Sequence, residues 1–302
     1  MIHGSSRARA ALLFGLAVPA LALLGCSQEP VEETETFQEP SQGWVETWRD
    51  DFDGLAESAP DPQRWNVEIR PSGQNDEQDY DTDDRKNSFL DGDGNLVIQA
   101  LQEQYVDAEG VQSAQPYTSA RLNTQGKLEQ TYGKFEARIK LPQAGKGVWP
   151  AFWLLGDNVG DAGWPECGEV DILEMRGSTP NSIVSSLHGP GYARGDALHE
   201  HFDLSSGAFG DDFHVFTFEW TAEATRFLVD DKPFFVKTAA AVGDAGHTWV
   251  YDHPFFIILN LAIGGVFDGK PNAATVFPQQ MLVDYVSVSE AAPDAPDAPA
   301  AP

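Results

Sequence analysis

GEVDILEMRG (168–177) sets three carboxylates, Glu169, Asp171 and Glu174, into a run whose Val170, Ile172, Leu173 and Met175 belong in a sheet interior. In a regular strand Glu169 and Asp171 share a face. Glu174, five residues from Glu169, falls on the opposite one. A one-residue β-bulge between Asp171 and Glu174 removes the conflict, because the extra residue restores parity and returns Glu174 to the face of its companions. Cα atoms of neighbouring acids then stand about 7 Å apart, and those of the outer pair about 13 Å. The run is expected to be a bulged strand carrying three acids on one side.

A solvated face is the ordinary home of acids, but it accounts poorly for this run. The flanking segments VWPAFWLLG (148–156) and GWPECG (163–168) supply Trp149, Trp153 and Trp164. Tryptophan rings beside convergent carboxylates have the general form of a sugar-binding cleft, in which apolar rings stack on pyranose faces while acids do chemistry. Converging glutamates can bring their carboxyls to the roughly 5 Å that a retaining glycosidase uses.

Outward from this strand the chain continues as strands. KFEARIKL (134–141) alternates Phe135, Ala137, Ile139 and Leu141 with Glu136, Arg138 and Lys140, a half-buried strand of period two. FHVFTFEW (213–220), TRFLVDD (225–231) and MLVDYVSVS (281–289) behave alike, while PFFIILNLAI (254–263) is apolar on both faces and should lie deep. Gly, Pro, Asn and Asp punctuate these runs and amphipathic helical stretches are missing. The expectation is an all-β antiparallel sandwich.

The ends of the chain differ in composition. Arg7 and Arg9 precede an apolar run, Ala10 to Leu24, too short for a comfortable membrane span and matching an export signal. It ends in Leu23, Leu24, Gly25 and Cys26, which resembles a lipobox, so residues 1–25 read as a lipoprotein signal peptide and Cys26 as the lipidated residue. Ser27 next to it lacks the aspartate of an inner-membrane retention signal, which directs the expectation to the outer membrane or cell surface. Residues 26–42 read as the lipidated Cys and a disordered acidic tether, 43–290 as one folded domain, and 291–302 as a Pro/Ala tail. With Cys26 lipidated, Cys167 has no intrachain partner, and the fold must rest on its core. The formal net charge of -28, from 19 basic against 47 acidic residues, excludes nucleic acid or an anionic membrane surface as partner and favours a solvated monomer. The membrane is expected to be met through the lipid anchor only.

The ordered series DGNLVIQA, YTSARLNT, YGKFEARIKLP, GVWPAFWLLG, GWPECGEVDILEMRG, LHGPGY, FHVFTFEW, ILNLAIGG and FPQQMLVDYVSV resembles glycoside hydrolase family 16, bacterial laminarinase type, whose signature is E-x-D-x-x-E in the bulged form. The resemblance spans about residues 43 to 289. It implies a concanavalin A-like β-jelly-roll and retaining endo-hydrolysis of a β-1,3-glucan, with Glu169 as nucleophile, Glu174 as general acid/base and Asp171 between them, hydrogen-bonding Glu169. It further implies Arg121 as a substrate contact and Asn75 and Glu77 in a loop at one end of the cleft, while His188, close after the acidic strand, is expected beside the acids from its position. That loop departs from the pattern at Ser72, Gly73 and Gln74, as does Phe267 where a Trp is usual. No cofactor is implied for the chemistry. A structural calcium on Asp51, the Gly94 carbonyl and Asp284 is the one metal the resemblance suggests, all oxygen ligands as a hard cation requires.

Alternatives within the same fold are a transglycosylase or a hydrolase of another β-glucan or a galactan. Sulfated substrates would want a basic cleft, and lichenases typically carry an unbulged E-x-D-x-E. A tethered glucan-binding protein of the envelope would keep the tryptophans without needing the acids.

Overall fold

Alternation becomes burial in the strand Gly133–Lys140, where Phe135, Ala137 and Ile139 are fully covered and Lys134, Glu136, Arg138 and Lys140 are half-buried on the other side. The computed structural model describes residues 35–71 and 75–293 of the chain. Its strands form two large sheets, and every pairing within them is antiparallel. Cys26, the signal segment, residues 72–74 and the end of the Pro/Ala tail lie outside the described residues.

The site-bearing sheet runs Leu198–Asp203, Ser182–His188, Glu169–Met175, Val148–Gly156, Phe255–Ile263, Arg121–Asn123, Asn66–Val67. The opposite sheet runs Lys232–Thr238, Ala224–Val229, His214–Trp220, Gly133–Lys140, Gln279–Ala291, Leu96–Ala100, Ser88–Leu90, and Trp44–Asp50 also pairs with Gln279–Ala291. A small third sheet holds the one parallel pairing among the described residues, Asp79–Asp81 beside Tyr117–Ser119.

One face of each large sheet is apolar, and the two faces meet in a single buried cluster that includes Phe152, Leu154, Val170, Ile257 and Leu259 from one side and Phe135, Phe216, Phe218 and Trp220 from the other. Trp220 meets Phe255 edge-on across the sheets, 5.3 Å between ring centroids. Such a core makes a disulfide unnecessary. Cys167 is free and buried, and burial pushes its thiol up to about 11, so it behaves as an inert small hydrophobe. Among the described residues helix is limited to Val159–Ala162, Ala239–Asp244 and a single 3-10 turn, Arg194–Asp196.

One sequence expectation changes at the periphery. The expected tether to residue 42 ends earlier, because Glu35 pairs with Lys237 and accepts from the Thr238 N–H at 2.9 Å. Glu39 meets Arg226 at 2.7 Å, and the same guanidinium lies 4.7 Å over the Phe37 ring. Residues 35–39 are therefore strapped to an edge of the opposite sheet. At two of the three expected calcium positions the carboxylate meets a guanidinium: Asp51 accepts from Arg49 at 2.7 Å and Asp284 from Arg138 at 2.6 Å.

Candidate active site

The acidic strand Glu169–Met175 is bulged against both neighbours. On one side Trp153 pairs with Asp171 and Ala151 with Glu174; on the other Ser186 pairs with Asp171 and Val184 with Glu174. Three steps along the acidic strand match two along each partner, so one residue is extra. The buried Ser185 hydroxyl donates to the Ile172 carbonyl at 2.6 Å, satisfying a backbone acceptor where the ladder is disturbed. The apolar pair Ile172 and Leu173 stays buried, and Glu174 comes to the face of Glu169 and Asp171.

Residues directly opposite in a ladder share a face, so the register identifies the rest of the site. Glu169 pairs with His188, Trp153 with Ile258, Ala151 with Asn260, and Asn260 with Arg121. The tryptophans flank the acids as the sequence suggests, but their polar edges matter as much as their faces. The Trp149 indole N–H donates to Glu174 Oε1 at 2.8 Å, and that of Trp153 donates to Asn260 Oδ1 at 2.8 Å. Trp164 lies against His188, 6.0 Å between ring centroids.

His188 stands where the acids converge, its Nε2 at 2.9 Å from Asp171 Oδ2 and 3.7 Å from Glu169 Oε1. Its Nδ1 accepts the Arg194 backbone N–H at 3.1 Å, which puts the proton of the neutral ring on Nε2, the nitrogen nearest the acids. The Tyr251 hydroxyl fixes the same residue by donating to its carbonyl at 2.9 Å. Asp171, expected to reach Glu169, thus has His188 as its near neighbour. Ligand atoms of Glu169, Asp171 and His188 lie within 4.8 Å of one another, close enough to hold a metal, yet an imidazole whose Nε2 carries the proton offers an N–H there rather than a lone pair.

Burial dominates the electrostatics. It pushes the carboxyls of Glu169, Asp171 and Glu174 each up to about 8. The charge of Asp171 adds to the rise at both glutamates, while His188 and Trp164 oppose it at Glu169, and Trp149, His188 and Arg176 at Glu174. Interacting acids release protons in steps that belong to the group. The first proton to leave produces one carboxylate beside acids that still hold theirs. This combination provides a nucleophile and a proton donor at once.

Away from the acids, Arg121 lies 4.6 Å over the Trp153 ring and its Nε donates to Glu68 Oε1 at 2.9 Å. Asn123 Nδ2 donates to that same oxygen at 2.9 Å. Asn75 and Glu77 sit beside Gly264 and Gly265: Glu77 bridges to Gly264, and the Asn75 carbonyl accepts from the Val266 N–H at 2.8 Å. Gly265 has φ +91°, and a Cβ there would come within 2.9 Å of the Trp149 ring, so only glycine allows that ring its place. The Phe267 ring is tilted against that of Trp149, 4.9 Å between centroids, and the Arg176 guanidinium lies 3.9 Å over it.

Sequence reasoning did not single out Glu68, Asn260, Arg176 or Arg194. Asn260 had a visible signal, being the one polar residue in PFFIILNLAI, and it is half-buried on the cleft face while its neighbours are covered. Arg194 gave none, since its contribution is a backbone N–H from a residue at φ 57°.

Residues 76–287 match the sequence profile of glycosyl hydrolases family 16. Among curated proteins, a beta-glucanase of Rhodothermus marinus is 36% identical over 276 residues, covering 88% of this chain and 91% of that protein. Among solved structures, the laminarinase catalytic domain of Thermotoga maritima superposes with a TM-score of 0.75 at 42% identity, covering 82% of this chain and 98% of that one. An endo-beta-1,3-glucanase of Pyrococcus furiosus gives 0.77 at 39% identity, covering 85% and 98%.

Proposed function

This chain belongs to glycosyl hydrolase family 16, and we propose that Glu169, Asp171 and Glu174 carry its chemistry, the endo-hydrolysis of a β-1,3-glucan with retention of configuration. The observation that supports these roles is the double-sided bulge, which sets Glu174 on the face of Glu169.

A Glu169 carboxylate oxygen attacks the anomeric carbon while the Glu174 proton passes to the glycosidic oxygen, so the C–O bond breaks as the glycosyl ester forms. Glu174, now ionised, takes a proton from water, and the hydroxide attacks the same carbon and releases Glu169. Two inversions give net retention. Asp171 and His188 set the local charge: His188 favours the ionised form of Glu169, while the Asp171 charge favours the protonated form of Glu174. Trp149 orients Glu174 through its N–H, and its half-buried ring beside Phe267 offers a surface for a sugar face. Arg121, braced on Trp153 and Glu68, together with Asn75 and Glu77, serves the sugars on either side.

The wider setting is part of the same reading. Cys26 carries lipid, the domain is monomeric, and the protein works outside the cytoplasm at the outer membrane or cell surface. The lipobox residues Leu23 to Cys26 support the anchor, and the net charge of -28 supports the monomer. Cys26→Ala is expected to release the protein from the membrane fraction with its specific activity unchanged, and continued attachment would remove the anchor from the account.

The test of function is reducing-sugar release from laminarin, mixed-linkage glucan, agarose and carrageenan. Laminarin is expected to be the best substrate, and Glu169→Gln and Glu174→Gln each to abolish the release while the fold is kept. Full activity in either variant would contradict the assigned roles.

A further inference from the structure

His199 and His201 stand two apart on Leu198–Asp203, an exposed edge strand of the site-bearing sheet. Residues two apart on a strand share a face. The register says which one, since His199 pairs with Ser186, itself the partner of Asp171, and His201 pairs with Val184, the partner of Glu174. Both imidazoles therefore project on the cleft face, two strands from the acids, a separation of about 10 Å at the usual strand spacing.

Their chemistry differs from that of His188. The His199 ring places Nδ1 at 2.9 Å from the Ala197 carbonyl, an acceptor only, so the proton of the neutral ring is on Nδ1 and the Nε2 lone pair is free. A ring N–H tied to a backbone carbonyl is the arrangement that orients metal-ligating histidines. The two rings are 5.9 Å apart between centroids at 86°. Two imidazoles on a tetrahedral ion need centroids roughly 5 Å apart given Zn–N bonds of about 2 Å, within reach of a small side-chain rotation. Both histidines are exposed, and the register places an uncharged Ser and Val beside them, so no neighbouring cation in that row competes.

We propose that His199 and His201 form a two-histidine site for a borderline transition-metal dication, zinc, nickel or copper, at the edge-strand end of the cleft. Two neutral nitrogen donors select these ions over calcium and magnesium, and copper should bind most tightly. An ion held there, with its remaining water ligands, occupies the cleft face beside the acids and hinders a polysaccharide chain crossing that end. The site is independent of the catalytic assignment.

The test is calorimetric titration of the full chain with copper, nickel and calcium chlorides near pH 7.5, repeated for His199→Gln, His201→Gln and the double variant. Wild type should bind about one copper, more tightly than nickel, with no calcium heat from this site. Each single variant should lose at least about tenfold in copper affinity, because chelation by two rings becomes binding by one, and circular dichroism of each variant checks that the strand is kept. Copper affinity unchanged in both single variants would overturn the proposal, as would its loss in Asp171→Asn or His188→Gln instead, which would locate the ion among the catalytic acids. Absence of copper binding by the wild type would overturn it equally.

Discussion

Glu136 and Glu174 are both glutamates on the outward side of a strand, one in each sheet, and burial raises the proton affinity of both. They end on opposite sides of the ordinary value. Glu136 is answered by its surroundings, with Lys134 at 2.7 Å, the Tyr285 hydroxyl donating at 2.8 Å and that of Thr217 at 3.2 Å, and its carboxyl is held below the usual range. Glu174 has one indole N–H and two acidic neighbours, and it rises to about 8. The two sheets also use the same backbone device for different ends. A bulge at Asp284 delivers that acid to Arg138, whereas the bulge at Ile172 and Leu173 delivers Glu174 to other acids. A carboxylate with partners stabilises its sheet, and one without them is kept for chemistry at a cost in stability.

The sharpest break in that comparison comes from the amide variants. Glu169→Gln and Glu174→Gln are expected to lower kcat by about a thousandfold or more, since neither amide attacks or gives up a proton. The same changes should raise thermal stability at neutral and alkaline pH. Folded-state values near 8 lie above the ordinary 4.5 of a glutamate, so the wild type loses stability as pH climbs through that interval, and the variants escape the loss. A gain of about 3 °C in Tm at pH 8, vanishing near pH 4, is the expected size. Glu136→Gln should do the reverse. It leaves activity intact and costs about 1 kcal/mol at neutral pH, a difference that disappears as pH falls through the depressed folded value. Equal stability profiles for the two kinds of variant would collapse the contrast.

Asp171→Asn sharpens it by removing one charge. Asp171 raises Glu174, so the alkaline limb of kcat/KM, where the acid loses its proton, should move to lower pH in this variant, together with a rate loss of about a hundredfold. An unmoved limb would mean that Asp171 does not set the proton affinity of Glu174. Ser185→Ala addresses the bulge itself. It leaves the Ile172 carbonyl without its buried donor, and about 1 to 2 kcal/mol of stability should be lost in chemical unfolding, with a smaller fall in kcat than in either acid variant. Gly265→Ala is expected to have the smallest effect, raising KM and lowering kcat a few-fold each, because a displaced Trp149 ring loses its hold on Glu174.

The parity conflict between Glu169 and Glu174 made the bulge legible before any coordinates, because a period of two allows no other way to gather the acids. Period-two alternation likewise located Gly133–Lys140 and His214–Trp220 to within a residue or two. The partners of the acids were not legible. Trp149 and Trp153 read as sugar-stacking rings, but that each spends its N–H on a cleft residue depends on rotamers and register, which sequence spacing does not encode. The orientation of His188 rests on a backbone N–H from Arg194, six residues on, in a left-handed conformation that an arginine does not advertise. The strap at Glu35 to Glu39 read as tether because its composition is acidic; its cations, Arg226 and Lys237, are some two hundred residues away in sequence.

The central claim, that the bulge presents Glu169 as nucleophile with Glu174 as its proton donor, is tested most directly by trapping the glycosyl enzyme. A 2-deoxy-2-fluoro-β-laminaribiosyl fluoride forms the ester quickly and releases it slowly, because fluorine disfavours the oxocarbenium-like transition state of the second step. Peptide mass spectrometry of the trapped protein should find one sugar adduct, on Glu169 within the segment 168–177. An adduct on Glu174 or Asp171, or turnover with no adduct and an α-configured first product, would contradict the account.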